Sequence, residues 1–71
     1  MYQVVDGAPV RTSSGRTITP PRGTASVVRM EDRYAIVVGQ VEPIIVTAGE
    51  FHRLMVEGQL RFVQQGLQSY N

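Results

Sequence analysis

Cysteine and lysine are absent from this chain and histidine occurs once, and each scarcity closes off a class of solution. Without cysteine there is no disulfide and no thiolate-held zinc or iron–sulfur site, the usual staples of very small domains. A chain of 71 residues buries only about 60% of the surface that its unfolded form exposes. Its core is therefore thin, and stability rests on packing, with self-association expected to help. No apolar run approaches the roughly 20 residues of a membrane-spanning helix. The first residues, Met1-Tyr2-Gln3-Val4-Val5-Asp6-Gly7, lack the basic region and apolar run of a signal peptide. The expected location is the cytoplasm, that of the host if the source is a phage, with no membrane partner.

With lysine missing, all seven basic residues are arginine: Arg11, Arg16, Arg22, Arg29, Arg33, Arg53 and Arg61. Lysine codons are AT-rich, so this usage is expected of a GC-rich bacterial, phage or plasmid genome. A functional reading stands beside it, because guanidinium recognises phosphate and carboxylate in a planar, bidentate way. The formal net charge of +1 is far from the basic excess of a dedicated nucleic-acid binder, so any basic patch has to be local.

A single histidine leaves few routes to catalysis. Nucleophilic chemistry needs a nucleophile, a base and an orienting group within hydrogen-bond reach, and His52 is the only imidazole available as that base. Its place beside Arg53, on the polar side of a helix, is that of an exposed surface residue. The carboxylates have local explanations: Glu31 and Asp32 in a hairpin turn, Glu42 on a solvated strand, Glu50 in a helix cap, and Asp6 and Glu57 in a turn and on a helix surface. One histidine and scattered acids give no metal-ligand spacing. Ser13-Ser14-Gly15-Arg16 has neither of the glycine spacings that cradle phosphates. No catalytic residue, cofactor or metal is expected, and the function is expected to be non-enzymatic.

The pattern reads as one domain, residues 1–71, of the α+β class: a small antiparallel β-meander of three to five short strands packed against one helix, about Ala48–Glu57. Residues 1–24 are rich in turn formers, and residues 25–63 are dense in valine, isoleucine, leucine and phenylalanine, the βββα(β) core. In the first part, Tyr2–Val5 and Pro9–Thr12 flank Asp6-Gly7, a pair suited to a tight hairpin turn. The polar stretch from Arg11 to Thr24 then reads as an exposed, mobile loop with a brief strand at Arg16–Thr19. In the core, Ala25–Met30 and Arg33–Val38 flank Glu31-Asp32, a hairpin signal, and Val41–Val46 supplies a third strand interrupted by Pro43. The middle strand is apolar on both faces, with Tyr34, Ile36 and Val38 on one and Ala35 and Val37 on the other, as for a strand covered on both sides.

Thr47-Ala48-Gly49-Glu50 has the form of a capping box, with Val46 and Phe51 as its hydrophobic staple. The stripe Phe51, Leu54 and Met55 then faces a sheet, with His52, Arg53 and Glu57 turned away. Gly58 offers two continuations. It ends the helix as a C′ residue, followed by a strand at Leu60–Val63, or the helix runs on to Gly66; the first is the better fit. Residues 64–71 read as a polar tail.

The feature above background is Arg11, Arg16 and Arg22 interspersed with Thr12, Ser13, Ser14, Thr17 and Thr19, since arginines and hydroxyls are the groups that contact phosphate oxygens. Arg29 and Arg33 extend the patch. Thr12–Thr19 resembles the basic wing of filamentous-phage single-stranded DNA-binding proteins, where a Ser-Gly-basic segment sits in a β-hairpin. Such proteins also carry aromatic stacking platforms, for which Tyr34 and Tyr2 are available here. A solvated loop, made soluble by its arginines, is the better-fitting reading of the same residues.

With one helix available for a sheet apolar on both sides, the second face calls for a cover, either the amino-terminal hairpin or a second copy in a two-fold homodimer, and for so small a core the homodimer is the expected arrangement. The leading expectation is thus a small protein-binding regulator or inhibitor from a phage or mobile element, contacting a host or self protein. The alternative is a binder of single-stranded DNA or RNA through Arg11, Arg16, Arg22, Arg29, Arg33 and Tyr34. A structural part of a virion or tail is a third class.

Overall fold

The structure, a computed structural model, describes residues 1–5 and 7–63. Among these, the elements run β1 (Tyr2–Val4), β2 (Val10–Arg11), β3 (Thr17–Ile18), β4 (Gly23–Met30), β5 (Arg33–Val38), β6 (Ile44–Thr47), α1 (Ala48–Val56) and β7 (Leu60–Phe62). The main sheet is antiparallel with strand order β6-β5-β4-β1-β7, and β2 and β3 form a separate two-stranded ribbon. The α+β class expected from the sequence is the class observed. No helix of the described residues is long and apolar enough to cross a membrane.

The meander follows its sequence signals. Glu31 and Asp32 form a two-residue turn, with Met30 and Arg33 as the flanking register pair. Glu31 adopts φ 54°, a left-handed conformation that costs a non-glycine residue about 1–2 kcal/mol. The Asp32 carbonyl accepts from Ala48 N at 3.2 Å, tying the hairpin tip to the helix start. The third strand begins only at Ile44, later than the sequence reading of Val41–Val46, because Pro43 cannot donate to a ladder.

The helix starts where the cap predicts, with Thr47 Oγ1 accepting from Glu50 N at 3.1 Å. It ends at Val56 with Glu57 as C-cap, and Gly58 follows as the C′ residue with φ 78°. Gly58 N donates to Met55 O at 3.2 Å and Gln59 N to Leu54 O at 3.0 Å, the paired bonds of a Schellman ending. The chain then turns straight into β7. Leu54 is almost fully buried in a cluster with Val4, Val10, Ala25, Ile36, Val38, Ile44, Val46 and Leu60. Phe51 stacks on Tyr34 with ring centroids 4.0 Å apart and meets Tyr2 edge-on at 6.0 Å; Tyr2 also meets Phe62 edge-on at 5.2 Å.

The amino-terminal hairpin is corrected. β1 pairs with β4 and β7, while β2 pairs with β3. Antiparallel partners on both sides, β4 and β7, satisfy both edges of β1 and place Val4 in the core, which a pairing against Pro9 does not allow. Asp6 and the expected tail, residues 64–71, lie outside the described residues. In the stretch read as an exposed loop with a brief strand at Arg16–Thr19, that strand is present as β3 (Thr17–Ile18), and its pairing with β2 makes a hairpin of residues 10–18. Thr12 N donates to Arg16 O at 2.7 Å, Arg16 N to Thr12 Oγ1 at 3.1 Å, and Ser13 N to Ile45 O at 2.8 Å, which ties its turn to the outer edge of β6. The ribbon and α1 cover the same face of the main sheet, and Val10 and Ile18 join the core there.

Replacing Leu54 with alanine is expected to lower unfolding free energy by about 3 kcal/mol, read from urea denaturation. Replacing exposed His52 the same way should change it by less than about 0.5 kcal/mol. A loss under about 1 kcal/mol at Leu54 contradicts the packing described.

Candidate functional site

Register pairs share a face, so the side chains opposite α1 can be read from the ladders. Met30, Val28, Ser26 and Thr24 of β4 lie beside Arg33, Ala35 and Val37 of β5, with Ile45 and Thr47 of β6 beyond them; on the other flank Thr24 pairs Gln3 and Gln3 pairs Arg61. The Val63 N–H donates to Met1 O at 2.7 Å, continuing the β1–β7 ladder and bringing Met1 and Val63 onto this face. No described element packs over it. Of the seven exposed large apolar side chains among the described residues, four stand here: Val28 at 55%, Met1 at 50%, Met30 at 43% and Val63 at 38% exposure. Half-buried Val37 and Ile45 join them, with Ala35, which its neighbours bury, at the centre.

The apolar second face of β5 was legible in the sequence. Its extension through Met1, Val63 and Arg61 was not, because that depends on β1 lying between β4 and β7. Within β4, the signal was the exposed pair Val28 and Met30, two residues apart and so on the same face.

The arginines named from the sequence do not gather. Arg29 pairs with Tyr34 on the helix side of the sheet, whereas Arg33 pairs with Met30 on the open side. Arg11 and Arg16 belong to the β2–β3 ribbon. Arg16 lines an open groove with Thr12, Ser14, Thr19 and Glu42, and Arg22 lines another with Gln3 and Arg61. Tyr34 is half-buried with its ring against Phe51. Among the described residues, Arg53 alone of the arginines makes an ion pair.

That ion pair organises the helix side. Arg53 Nη2 donates to Glu50 Oε2 at 2.5 Å and Nε to Oε1 at 3.0 Å, a bidentate contact; Nη1 donates to Glu57 Oε1 at 2.7 Å and to Gln59 Oε1 at 3.3 Å. Glu50 Oε2 also accepts the Arg11 backbone N–H at 3.0 Å. The Thr12–Arg16 bond puts the ribbon ladder on the even positions of β2, so the Arg11 N–H turns outward to the helix. The sequence reading turned Arg53 away from the body; instead it is half-buried and bridges to Gln59 because its two acids and the amide converge there. Hydrogen bonds from Arg53, against the opposing effect of burial, hold the Glu50 carboxyl below its ordinary pKa of 4.5.

Gln59 is the buried polar side chain of the described core, and its Nε2 has no partner. It lines an apolar cavity with Val10, Ile36, Ile44, Leu54 and Leu60 whose volume is about 10 Å³. That is the room of a single water and excludes any organic ligand. No group of three or more His, Asp or Glu side chains gathers at metal-binding distance among the described residues. No family model, curated protein or solved structure matches the chain.

The lowered Glu50 pKa has a defined sign in stability. Its contribution is full above 4.5, the ordinary value, and is lost as pH falls through the lower folded-state value. The difference in unfolding free energy between wild type and Glu50→Gln is expected to hold steady from pH 7 to 5 and to shrink below about 4.5, measured by urea denaturation across pH. A difference that does not change with pH rules out the carboxylate clasp.

Proposed function

We propose that this chain is a non-enzymatic protein-binding domain that engages its partner through the open face of the main sheet. The observation that carries the reading is the concentration of Met1, Val28, Met30 and Val63 on one face that no described element covers. Scattered apolar residues on a surface are ordinary, but a contiguous apolar patch in a soluble domain marks an interaction site. The described Tyr and Phe rings are all spent elsewhere: Tyr2, Tyr34, Phe51 and Phe62 form a chain of contacts on the helix side. A domain of this kind acts by occupying a surface of another protein, as a regulator or inhibitor does.

One observation favours a second reading, contact with single-stranded nucleic acid. Arg22 and Arg61 line one groove with Gln3, and neither is neutralised by an ion pair among the described residues. Guanidinium groups so placed suit phosphate oxygens. The open face lacks the aromatic platform that usually accompanies such binding.

Binders selected from a displayed peptide library on the wild-type protein are expected to lose at least about tenfold in affinity on Val28→Glu, with the urea midpoint unchanged. Binders that keep full affinity place the working surface elsewhere. For the second reading, two phosphate contacts from Arg22 and Arg61 imply a slope of log K on log salt near −1.4 with single-stranded oligonucleotides, read by fluorescence anisotropy and abolished in the doubly alanine-substituted protein. Absence of binding at 50 mM salt removes it.

A further inference from the structure

The protein-binding reading names a surface but not the chemistry of what lands on it, and the charges around the open face narrow that chemistry. Arg33 stands at one end, in register with Met30. Arg61 stands at the other, in the row of Gln3 and Thr24, and shares a groove with Arg22. Among the described residues no carboxylate lies on this face: Glu31 and Asp32 occupy the hairpin turn, Glu42 the loop before β6, and Glu50 and Glu57 the helix side. The three arginines make no ion pair among the described residues. The open face is thus an apolar field with a cationic group at each end.

The spacing is that of a short helix. From the Thr24 row to the Met30 row is six residues along β4, about 20 Å at the rise of a strand. That matches nearly four turns of α-helix, about 5.4 Å each. Between the ends, small Ala35 and Ser26 sit among the larger Val28, Val37 and Ile45, so the middle of the face is apolar and carries no charge. A helix already covers the other face, and a second one on this side would complete a three-layer arrangement of the kind sheets adopt.

We propose that the open face receives an amphipathic helix of another protein, with an apolar stripe of about three turns and carboxylates at both ends that pair with Arg33 and with Arg61 and Arg22. This rests on the protein-binding reading and adds the partner's chemistry. A second copy packed face to face would lay one acid-free, arginine-bearing surface on another, and like charges across an interface are unfavourable. Residues 64–71 contain no Asp or Glu, so that segment does not answer the arginines with side-chain carboxylates.

The test uses two synthetic helical peptides with the same leucine stripe, one ended in glutamates and one in lysines. Each is titrated by fluorescence anisotropy against the full chain, Val28→Glu, and the double variant Arg33→Glu/Arg61→Glu, all checked for folding by circular dichroism. The glutamate peptide is expected to bind wild type at least about tenfold more tightly than the lysine peptide, to weaken with salt, and to lose its advantage in the arginine variant. Both should fail on Val28→Glu. Equal affinity of the two peptides, lost on Val28→Glu, overturns the acidic partner and leaves the binding face standing. Binding of both peptides that survives Val28→Glu overturns the face itself. Failure of both peptides on wild type overturns the proposal. In that case, sedimentation that shows a dimer dissociated by Val28→Glu assigns the face to a second copy, and co-sedimentation with phosphatidylglycerol vesicles assigns it to an anionic lipid surface.

Discussion

The Glu50 carboxylate joins the parts of this fold that no strand ladder connects. Its residue is the third of the helix, its backbone N–H is taken by the Thr47 cap, and its two oxygens receive the Arg11 amide of the ribbon and the guanidinium of Arg53. Arg53 passes the connection on to Gln59, whose own carbonyl accepts from Val5 N at 2.9 Å. The capping-box pattern anticipates a different geometry, in which the glutamate returns to its own N-cap amide. Here that amide is part of β6, and the carboxylate serves a long-range contact instead. A nine-residue helix is too short to be stable alone, so its position depends on such ties and on Leu54 in the core.

The parts legible in the sequence are those set by local rules. Glu31-Asp32 fixed a hairpin because it separates two β-branched runs, Thr47 fixed a cap, and Gly58 ended the helix because glycine takes positive φ without a Cβ clash. The parts that were not legible are those set by partners distant in sequence. Asp6-Gly7 looks like a turn between neighbours, yet β1 gains more from β4 and β7, one of them nearly sixty residues away along the chain. Likewise Arg53 reads as a surface residue by helical periodicity, and only the convergence of Glu50, Glu57 and Gln59 draws it inward.

The same division applies to the candidate site. The sequence grouped Arg11, Arg16, Arg22, Arg29 and Arg33 because they are close in order. Strand alternation separates Arg29 from Arg33, and the ribbon carries Arg11 and Arg16 to the helix side. Arg61, which the grouping left out, arrives beside Arg22 through the closing strand. The two-sided apolar pattern of β5 did point to a surface needing a cover, and the described residues supply one for the Ile36 side only.

Leaving the Val28 side bare has an energetic meaning. Each 100 Å² of apolar surface covered contributes about 2.5 kcal/mol gross, so a thin-cored domain has much to gain from filling that side with its own residues or with polar ones that cost nothing in water. Polar residues do occupy its margins, at Thr24, Gln3 and Thr47, while the middle keeps Val28, Ala35, Val37 and Ile45 around a single Ser26. Generic solubility would favour charges of both signs across such a face. An apolar middle with arginine at the two ends is instead the arrangement of a surface that separates partners by charge while drawing its binding energy from apolar contact, and that is why the arginines, few as they are, carry the choice of partner.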